Sequence, residues 1–298
     1  MIAALLANSG IAVAKFVGFI ITGSSSMLAE SVHSVADSGN QGLLLLGGAR
    51  ARKEATETHP FGHGRERYFW AFIVTLVLFT LGAVFALYEG IEKLREPHAV
   101  ESVGVAVGIL AFAIVVESLS LRTAVVEANK VRGDASWVHF LRHSRSPELP
   151  VVLLEDIGAE VGLFLALGGV GLTLLTGDPV WDAYATVSIG VLLGVIAIVL
   201  CIEMKSLLIG EGASVADLGK VRDAITTAPG VSALIHLKTQ HLGPEELLVA
   251  AKLSLDASLS FPEVAATIDE VERRIRDQVP IARVIYLEPD VVDQPLPA

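Results

Sequence analysis

The sequence has few cysteines and few charged residues. It contains one cysteine in 298 residues, Cys201, so an intrachain disulfide cannot form. Charged residues make up 18% of the chain, whereas soluble proteins average about 25%. The formal net charge of −11 gives no reason to expect nucleic acid as a partner. These shortages exclude a disulfide-rich secreted domain and argue against a nucleic-acid-binding protein.

The sequence is instead rich in long apolar stretches. Six of them reach the roughly 20 residues that a membrane-spanning helix needs. They cover residues 2–22, 27–49, 68–94, 100–124, 149–175 and 180–209. We therefore expect an α-helical membrane domain of six transmembrane helices over residues 1–209.

Basic residues cluster beside two of the expected loops. One cluster lies between the second and third spans and the other around the loop between the fourth and fifth, and only Lys93 and Arg95 flank the opposite side. Basic residues are enriched on the cytoplasmic side of membrane proteins. We expect both loops and both chain termini to be cytoplasmic. The composition favours a bacterial plasma membrane, with an organelle membrane as the alternative.

The C-terminal part of the chain, residues 210–298, has shorter apolar runs and more charge. Residues 215–227 and 261–278 have the spacing of amphipathic helices. Three shorter segments alternate as strands do, at residues 233–240, 247–256 and 283–288. The order αββαβ predicts a small α+β cytoplasmic domain with an open-faced sheet and two helices on one side.

Glu30, His33 and Asp37 lie within the second expected span. An ionisable side chain in a span is costly unless it is paired, hydrated or bound to an ion. His33 and Asp37 are four residues apart, so they share a helix face and can converge on one ion. Imidazole with carboxylate suits Zn²⁺ and neighbouring transition metals. The alternative is a buried His–Asp hydrogen bond that orients helices.

The fifth expected span contains three carboxylates, Glu155, Asp156 and Glu160. They cannot all be ionised and unpaired in lipid, so a cation or protons must be present. Asp156 and Glu160 share a face by the four-residue spacing, which ranks Glu160 above Glu155 as a second ligand. The alternative is that Glu155 or Glu160 faces the headgroup region.

A short loop joins the first two spans, so residues equally far from it lie at similar depth. This places Lys15 beside Glu30 and Asn8 beside Asp37. We expect a Lys15–Glu30 ion pair and expect Asn8 to lie near the metal site. Each residue could instead reach a cavity independently.

The loop before the third span contains His59 and His63 in the sequence THPFGHGRER. Two histidines at i and i+4 can form half of a metal site if the chain is helical there. Pro60 and Gly62 argue against a regular helix. The pair is therefore either a second, weaker metal site or two exposed histidines beside a basic segment.

These features together resemble the cation diffusion facilitators. The resemblance covers nearly the whole chain: six spans, the His-x-x-x-Asp pair, the fifth-span acids, the HPFGHGRER loop and the C-terminal domain. The segments SSSMLAESVHSVADSGNQ and VVLLEDIGAEVG are similar to the branch that contains the mitochondrial zinc transporter of animals. The resemblance implies a homodimer that works by alternating access coupled to inward proton flow, with a ferredoxin-like or metallochaperone-like cytoplasmic domain.

The resemblance also implies a tetrahedral transport site from the second and fifth spans. His33, Asp37 and Asp156 match the family's ligand positions, and the fourth position is Val152, which cannot ligate. Glu155, Glu160 or a water would complete the shell. His59 and His63 match the family's loop site, where Thr56 replaces the usual aspartate.

We therefore expect an efflux transporter of a divalent metal, zinc first and manganese, iron or cobalt as alternatives, with no enzymatic activity and no cofactor. Its expected partners are a second copy of the chain, metal ions, protons and the bilayer. An intramembrane metalloenzyme is a competing hypothesis, but its usual HExxH motif is absent. A membrane scaffold that recruits partners would leave the buried His, Asp and Glu without a role.

Overall fold

The computed structural model describes residues 2–97 and 102–290, with side chains from residue 10 onward. The chain divides into two compact units. One contains residues 1–49 and 67–205, and the other contains residues 50–66 and 206–298. The side chain of Asn8 and the first residues of the fourth expected span lie outside the described part, so the expectation for Asn8 stays a prediction.

The first unit is helical throughout its regular structure. Its helices are α1 Ile2–Thr22, α2 Ser25–Ala51, α3 Glu66–Val77, α4 Phe85–Arg95, α5 Val103–Arg132, α6 Trp137–His143, α7 Glu148–Thr176 and α8 Val180–Ile209. A π-helical segment, Leu78–Val84, joins α3 to α4 in one continuous rod. The short helix α6, between α5 and α7, was not expected from the sequence.

Four helical segments are long and apolar enough to cross a membrane. They are Glu66–Arg95, Val103–Arg132, Glu148–Thr176 and Val180–Ile209. In α1 the apolar segment with described side chains is Gly10–Thr22, which is shorter than a span requires. The helix α2 is long enough but too polar along its first two thirds. An integral membrane protein is thus supported, while the count of six spans is not confirmed by the described residues.

Glycines let α4 and α8 approach each other closely. A Cβ atom on Gly90 would lie 2.8 Å from the backbone nitrogen of Val187, and one on Gly190 would lie 2.8 Å from that of Leu87. Real Cβ atoms are not found so close to backbone atoms. Small residues allow this kind of helix contact in membranes, where lipid removes the hydrophobic drive for association.

A buried polar cluster ties the first residues of α2 to α4 and α8. Both carboxylate oxygens of Asp182 accept hydrogen bonds: one from the Ser24 and Ser26 hydroxyls, the other from the Ser25 backbone N–H at 3.0 Å. Lys93 donates to Asp182 at 3.0 Å and to the Gly23 carbonyl at 3.1 Å. Asp182 thereby satisfies N–H and O–H donors that a helix start would otherwise leave unpaired.

The second unit contains the small α+β domain. Its elements are α9 Val215–Thr226, β1 Val231–Gly243, β2 Glu246–Leu255, α10 Phe261–Gln278 and β3 Val284–Asp290. The sheet order is β1-β2-β3, with β1 and β2 antiparallel and β2 and β3 parallel. This is the αββαβ order that the sequence predicts, with a longer first strand.

Buried and partly exposed residues alternate along β2, and the buried ones show which face of the sheet the helices cover. Leu247, Val249, Leu253 and every second residue along the strand are buried, and they pack on apolar residues of α9 and α10. The start of α10 is fixed by Ser260, whose hydroxyl and N–H donate to Glu263. These hydrogen bonds lower the pKa of the Glu263 carboxyl.

We expect Asp182→Asn to lower the free energy of unfolding by about 3 kcal/mol, because the Lys93 ammonium would stay buried without its counter-charge. Thermal unfolding of the purified protein in detergent measures this. Ser188→Ala is the control, since this exposed hydroxyl donates to the Tyr184 carbonyl of its own helix, and a change within about 0.5 kcal/mol is expected. Equal stability of Asp182→Asn and wild type would contradict the structural role of the cluster.

Candidate functional site

His33 and Asp37 form a buried pair on α2. Their Nε2 and Oδ2 atoms are 3.5 Å apart, as the four-residue spacing predicts. Within the described residues, the two ring nitrogens of His33 have no hydrogen-bond partner. The same is true of Asp37 Oδ1. Buried polar atoms are nearly always hydrogen-bonded in folded proteins. A pair with free lone pairs is therefore suited to bind a cation.

The acids of α7 face two different helices. The Glu155 carboxylate accepts a hydrogen bond of 2.6 Å from the Asn40 amide of α2. Asp156 accepts one of 3.1 Å from Ser120, and Glu160 one of 2.8 Å from Ser118, both on α5. Asp156 and Glu160 thus share a face, and Glu155 points to the helix that carries His33 and Asp37.

These groups are close enough to interact electrostatically but do not form one compact cluster. The charge of Asp37 interacts with those of Glu155, Asp156 and Glu117. Among the described residues, no three His, Cys, Asp or Glu side chains converge closely enough to hold a metal ion. The structure therefore pairs His33 with Asp37. Glu155 and Asp156 of α7 interact with Asp37 but do not converge with the pair on one point.

The predicted Lys15–Glu30 ion pair is confirmed, with a third member. The fully buried Lys15 donates to Glu30 Oε2 at 3.2 Å and to Ser34 Oγ at 2.8 Å. Its Nζ also lies 3.8 Å from Glu117 Oε1 on α5. Sequence reasoning missed Glu117, although it is a carboxylate inside an expected span and the cost of such a residue could have identified it.

One glycine makes room for the Glu30 carboxylate, and a second lies at ordinary contact distance from His33. A Cβ atom on Gly162 of α7 would clash with Glu30 Oε1. A Cβ atom on Gly82, in the π-helical segment, would lie 3.9 Å from His33 Nδ1. π-Helical turns inside α-helices are frequent at functional sites. Neither glycine could be identified from the sequence, because both depend on how the helices pack.

His59 and His63 lie in the loop between α2 and α3, which belongs to the second unit. Their ring centroids are 4.7 Å apart. The loop is not helical: Thr56 and His59 exchange backbone hydrogen bonds, and Gly62 has a φ of 74°. His63 Nδ1 is buried without a hydrogen-bond partner in the described part of the chain. A metal site at this pair stays a prediction.

A helical membrane unit with a buried His–Asp pair and surrounding acids contains the ionisable residues that mark ion pathways in membrane proteins. Residues 1–209 match the cation efflux transmembrane domain, and residues 213–290 match the cytoplasmic domain of cation efflux proteins. The chain belongs to the cation efflux family, the cation diffusion facilitators. This confirms the resemblance seen in the sequence, and the family is one of transporters.

Several curated proteins are similar to this chain. The mitochondrial proton-coupled zinc antiporter SLC30A9 of Homo sapiens is 32% identical over 270 residues, 89% of this chain and 46% of the human protein. Metal tolerance protein C4 of Arabidopsis thaliana is 27% identical over 82% of this chain and 54% of its own length. The magnetosome protein MamB of Magnetospirillum gryphiswaldense is 25% identical over 90% of this chain and 85% of its own. The chain spans about half the length of the human and plant relatives.

We expect Lys15→Met to destabilise the protein, because Glu30 and Glu117 would stay buried without their cation. Lys15→Met with Glu30→Gln should lose less stability than the sum of the single variants, with a coupling of about 2 kcal/mol. Unfolding of all three variants in the same detergent measures the coupling. Additive losses would show that the two side chains do not interact in the folded protein.

Proposed function

We propose that this protein exports a divalent metal ion, with zinc preferred, in exchange for protons. The observation that carries the proposal is the buried His33–Asp37 pair, whose nitrogen and oxygen atoms are free to ligate. Imidazole with carboxylate suits Zn²⁺ better than Mg²⁺ or Ca²⁺, which favour oxygen ligands alone. The name of the human relative, a proton-coupled zinc antiporter, supports both the metal and the proton.

The proposed transport site comprises His33 and Asp37 of α2 with Asp156 of α7. Glu155 is the proposed fourth ligand, because its carboxylate reaches α2 through Asn40. The i+4 spacing favours Glu160 instead, and Glu160 Oε2 is also buried without a hydrogen-bond partner in the part of the chain described. Binding of the dication would draw these acids together and offset the cost of burying their charges.

In the proposed mechanism, protons are exchanged for the metal ion. Zn²⁺ binds imidazole and carboxylate in their deprotonated forms, so protonation of the same groups expels the metal. The proposed cycle alternates between states open to either side of the membrane. The full architecture in this proposal is six spans with cytoplasmic termini in a bacterial plasma membrane. Two copies assemble as a homodimer, for which the match to the family's cytoplasmic domain is the support.

Manganese, iron or cobalt is the second candidate cargo. One histidine among carboxylates also accepts these metals, because carboxylate oxygens suit Mn²⁺ and imidazole suits iron as well as zinc. A titration of the purified protein with each dication in turn compares the two candidates. Tighter binding of Mn²⁺ than of Zn²⁺ would favour the second.

We expect His33→Ala and Asp37→Ala each to reduce metal flux to background while the protein stays folded, because each removes a proposed ligand and neither removes an ion pair between helices. Uptake of Zn²⁺ into proteoliposomes with an imposed pH gradient measures the flux. Val35→Ala is the matched control, since Val35 lies between them on α2 with 59% of its surface exposed. Wild-type flux in either ligand variant would refute the site.

We expect Glu155→Gln to weaken Zn²⁺ binding by at least about tenfold, which is the loss typical when a metal site is perturbed. Glu160→Gln should cost less, because Glu160 faces Ser118 of α5 rather than α2. Titration of both variants under one set of conditions provides the comparison. A loss confined to Glu160→Gln would move the fourth ligand to Glu160.

A further inference from the structure

Lys15 is a fully buried cation of α1 that contacts side chains of α2 and α5. Its ammonium group on α1 contacts Ser34 Oγ at 2.8 Å and Glu30 Oε2 at 3.2 Å, both on α2. It also lies 3.8 Å from Glu117 Oε1 on α5. A tethered ammonium group thus occupies a position coordinated by oxygens, as a bound ion would.

The ammonium group lies beside the proposed transport site. Ser34, its closest partner, follows His33 directly in α2. The charge of Lys15 reaches both His33 and Asp37. Glu117, the second acid beside Lys15, in turn interacts with Asp37 and Asp156. The charge of Lys15 therefore contributes to the electrostatic potential at the proposed metal ligands.

The surroundings of Lys15 are rich in carboxylates. Glu30 and Glu117 lie beside its ammonium group, and its charge also interacts with that of Asp37. The charge of Asp37 in turn interacts with those of Glu117, Glu155 and Asp156. Because charges interact strongly at low dielectric, the balance between this lysine and its acids affects how firmly a dication is held.

The other buried lysine of this unit has a different environment. Lys93 donates to Asp182 and to a backbone carbonyl, and serine hydroxyls complete the hydrogen bonding of that carboxylate. No proposed metal ligand belongs to that cluster. By contrast, Glu30 Oε1 has no hydrogen-bond partner among the described residues. The two lysines therefore form a natural pair for comparison, one beside the site and one away from it.

We propose that Lys15 is a positioning residue that sets the metal affinity of the transport site: it holds Glu30 and Glu117 in place and repels the bound dication. The inference rests on the proposed function, because it assumes a metal at His33 and Asp37. A carrier must bind its ion firmly enough to take it up and weakly enough to release it. A fixed cation beside the site keeps the affinity in that range.

The proposal predicts effects of opposite sign. With Zn²⁺ as the probe and the full-length chain in detergent at one pH, Lys15→Gln should bind at least about tenfold more tightly than wild type. Glu117→Gln should bind at least about tenfold more weakly, because it removes a negative charge and leaves the Lys15–Glu30 pair in place. In proteoliposomes Lys15→Gln should lower both KM and kcat, since release becomes slow.

Lys93→Gln is the matched control. It removes a buried lysine from the Asp182 cluster, so it should lower the melting temperature and leave the Zn²⁺ affinity unchanged. A purely structural role of Lys15 would give the same result in Lys15→Gln. Unchanged affinity in Lys15→Gln, or a change of the same sign as in Glu117→Gln, would overturn the proposal.

A folding failure of Lys15→Gln still permits a test. Lys15→Gln with Glu30→Gln removes one charge of each sign and should bind Zn²⁺ more tightly than Glu30→Gln alone; equal binding would overturn the proposal. Asp37→Ala separates this inference from the proposed function. Wild-type binding in Asp37→Ala would refute the transport site itself, whereas loss of binding there with no effect of Lys15→Gln would refute only the role of Lys15.

Discussion

The cost of burying charge in an apolar environment is the constraint on which the first unit depends. Each ionisable side chain inside a helix that faces lipid or core must be paired, hydrated or bound to an ion. At Asp182 the protein meets this cost completely, with a lysine and serine donors around both oxygens. At His33 and Asp37 the ring nitrogens and one carboxylate oxygen have no hydrogen-bond partner among the residues that the structure describes. The contrast distinguishes a structural ion pair from the proposed metal site.

The contacts between helices follow from the same constraint. Lys15 joins α1 to α2 and α5 through its two acids, and Asn40 joins α2 to α7 through Glu155. Such contacts connect the polar helix α2 to apolar helices that could not otherwise pack on it without leaving polar groups unpaired. Glycine at position 162 of α7 then makes room for the Glu30 carboxylate. In the proposed function, a cation that binds near His33 would act on contacts between several helices at once. It would shift the equilibrium between two states if it binds one of them more tightly than the other.

Much of the fold and part of the site could be predicted from the sequence. The αββαβ domain was predictable because alternation on β2 and amphipathic spacing on α10 are local patterns. The Lys15–Glu30 pair was predictable because the loop between α1 and α2 is short. Residues equally far from that loop along the two helices therefore lie at similar depth. Glu117 was missed, although a carboxylate within a span carries the same signal as Glu30. The polar residues that make α2 the proposed site helix also make it less apolar than a typical span.

The sequence by itself determined which residues share a helix face, since that depends only on the helical repeat: His33 with Asp37, and Asp156 with Glu160. Tertiary structure alone decided which neighbouring helix each face meets. It turned Glu155 toward Asn40 of α2, and it turned Asp156 toward α5. The reason is that the rotation and approach of packed helices are set by many side-chain contacts distant in sequence, and no local spacing encodes them.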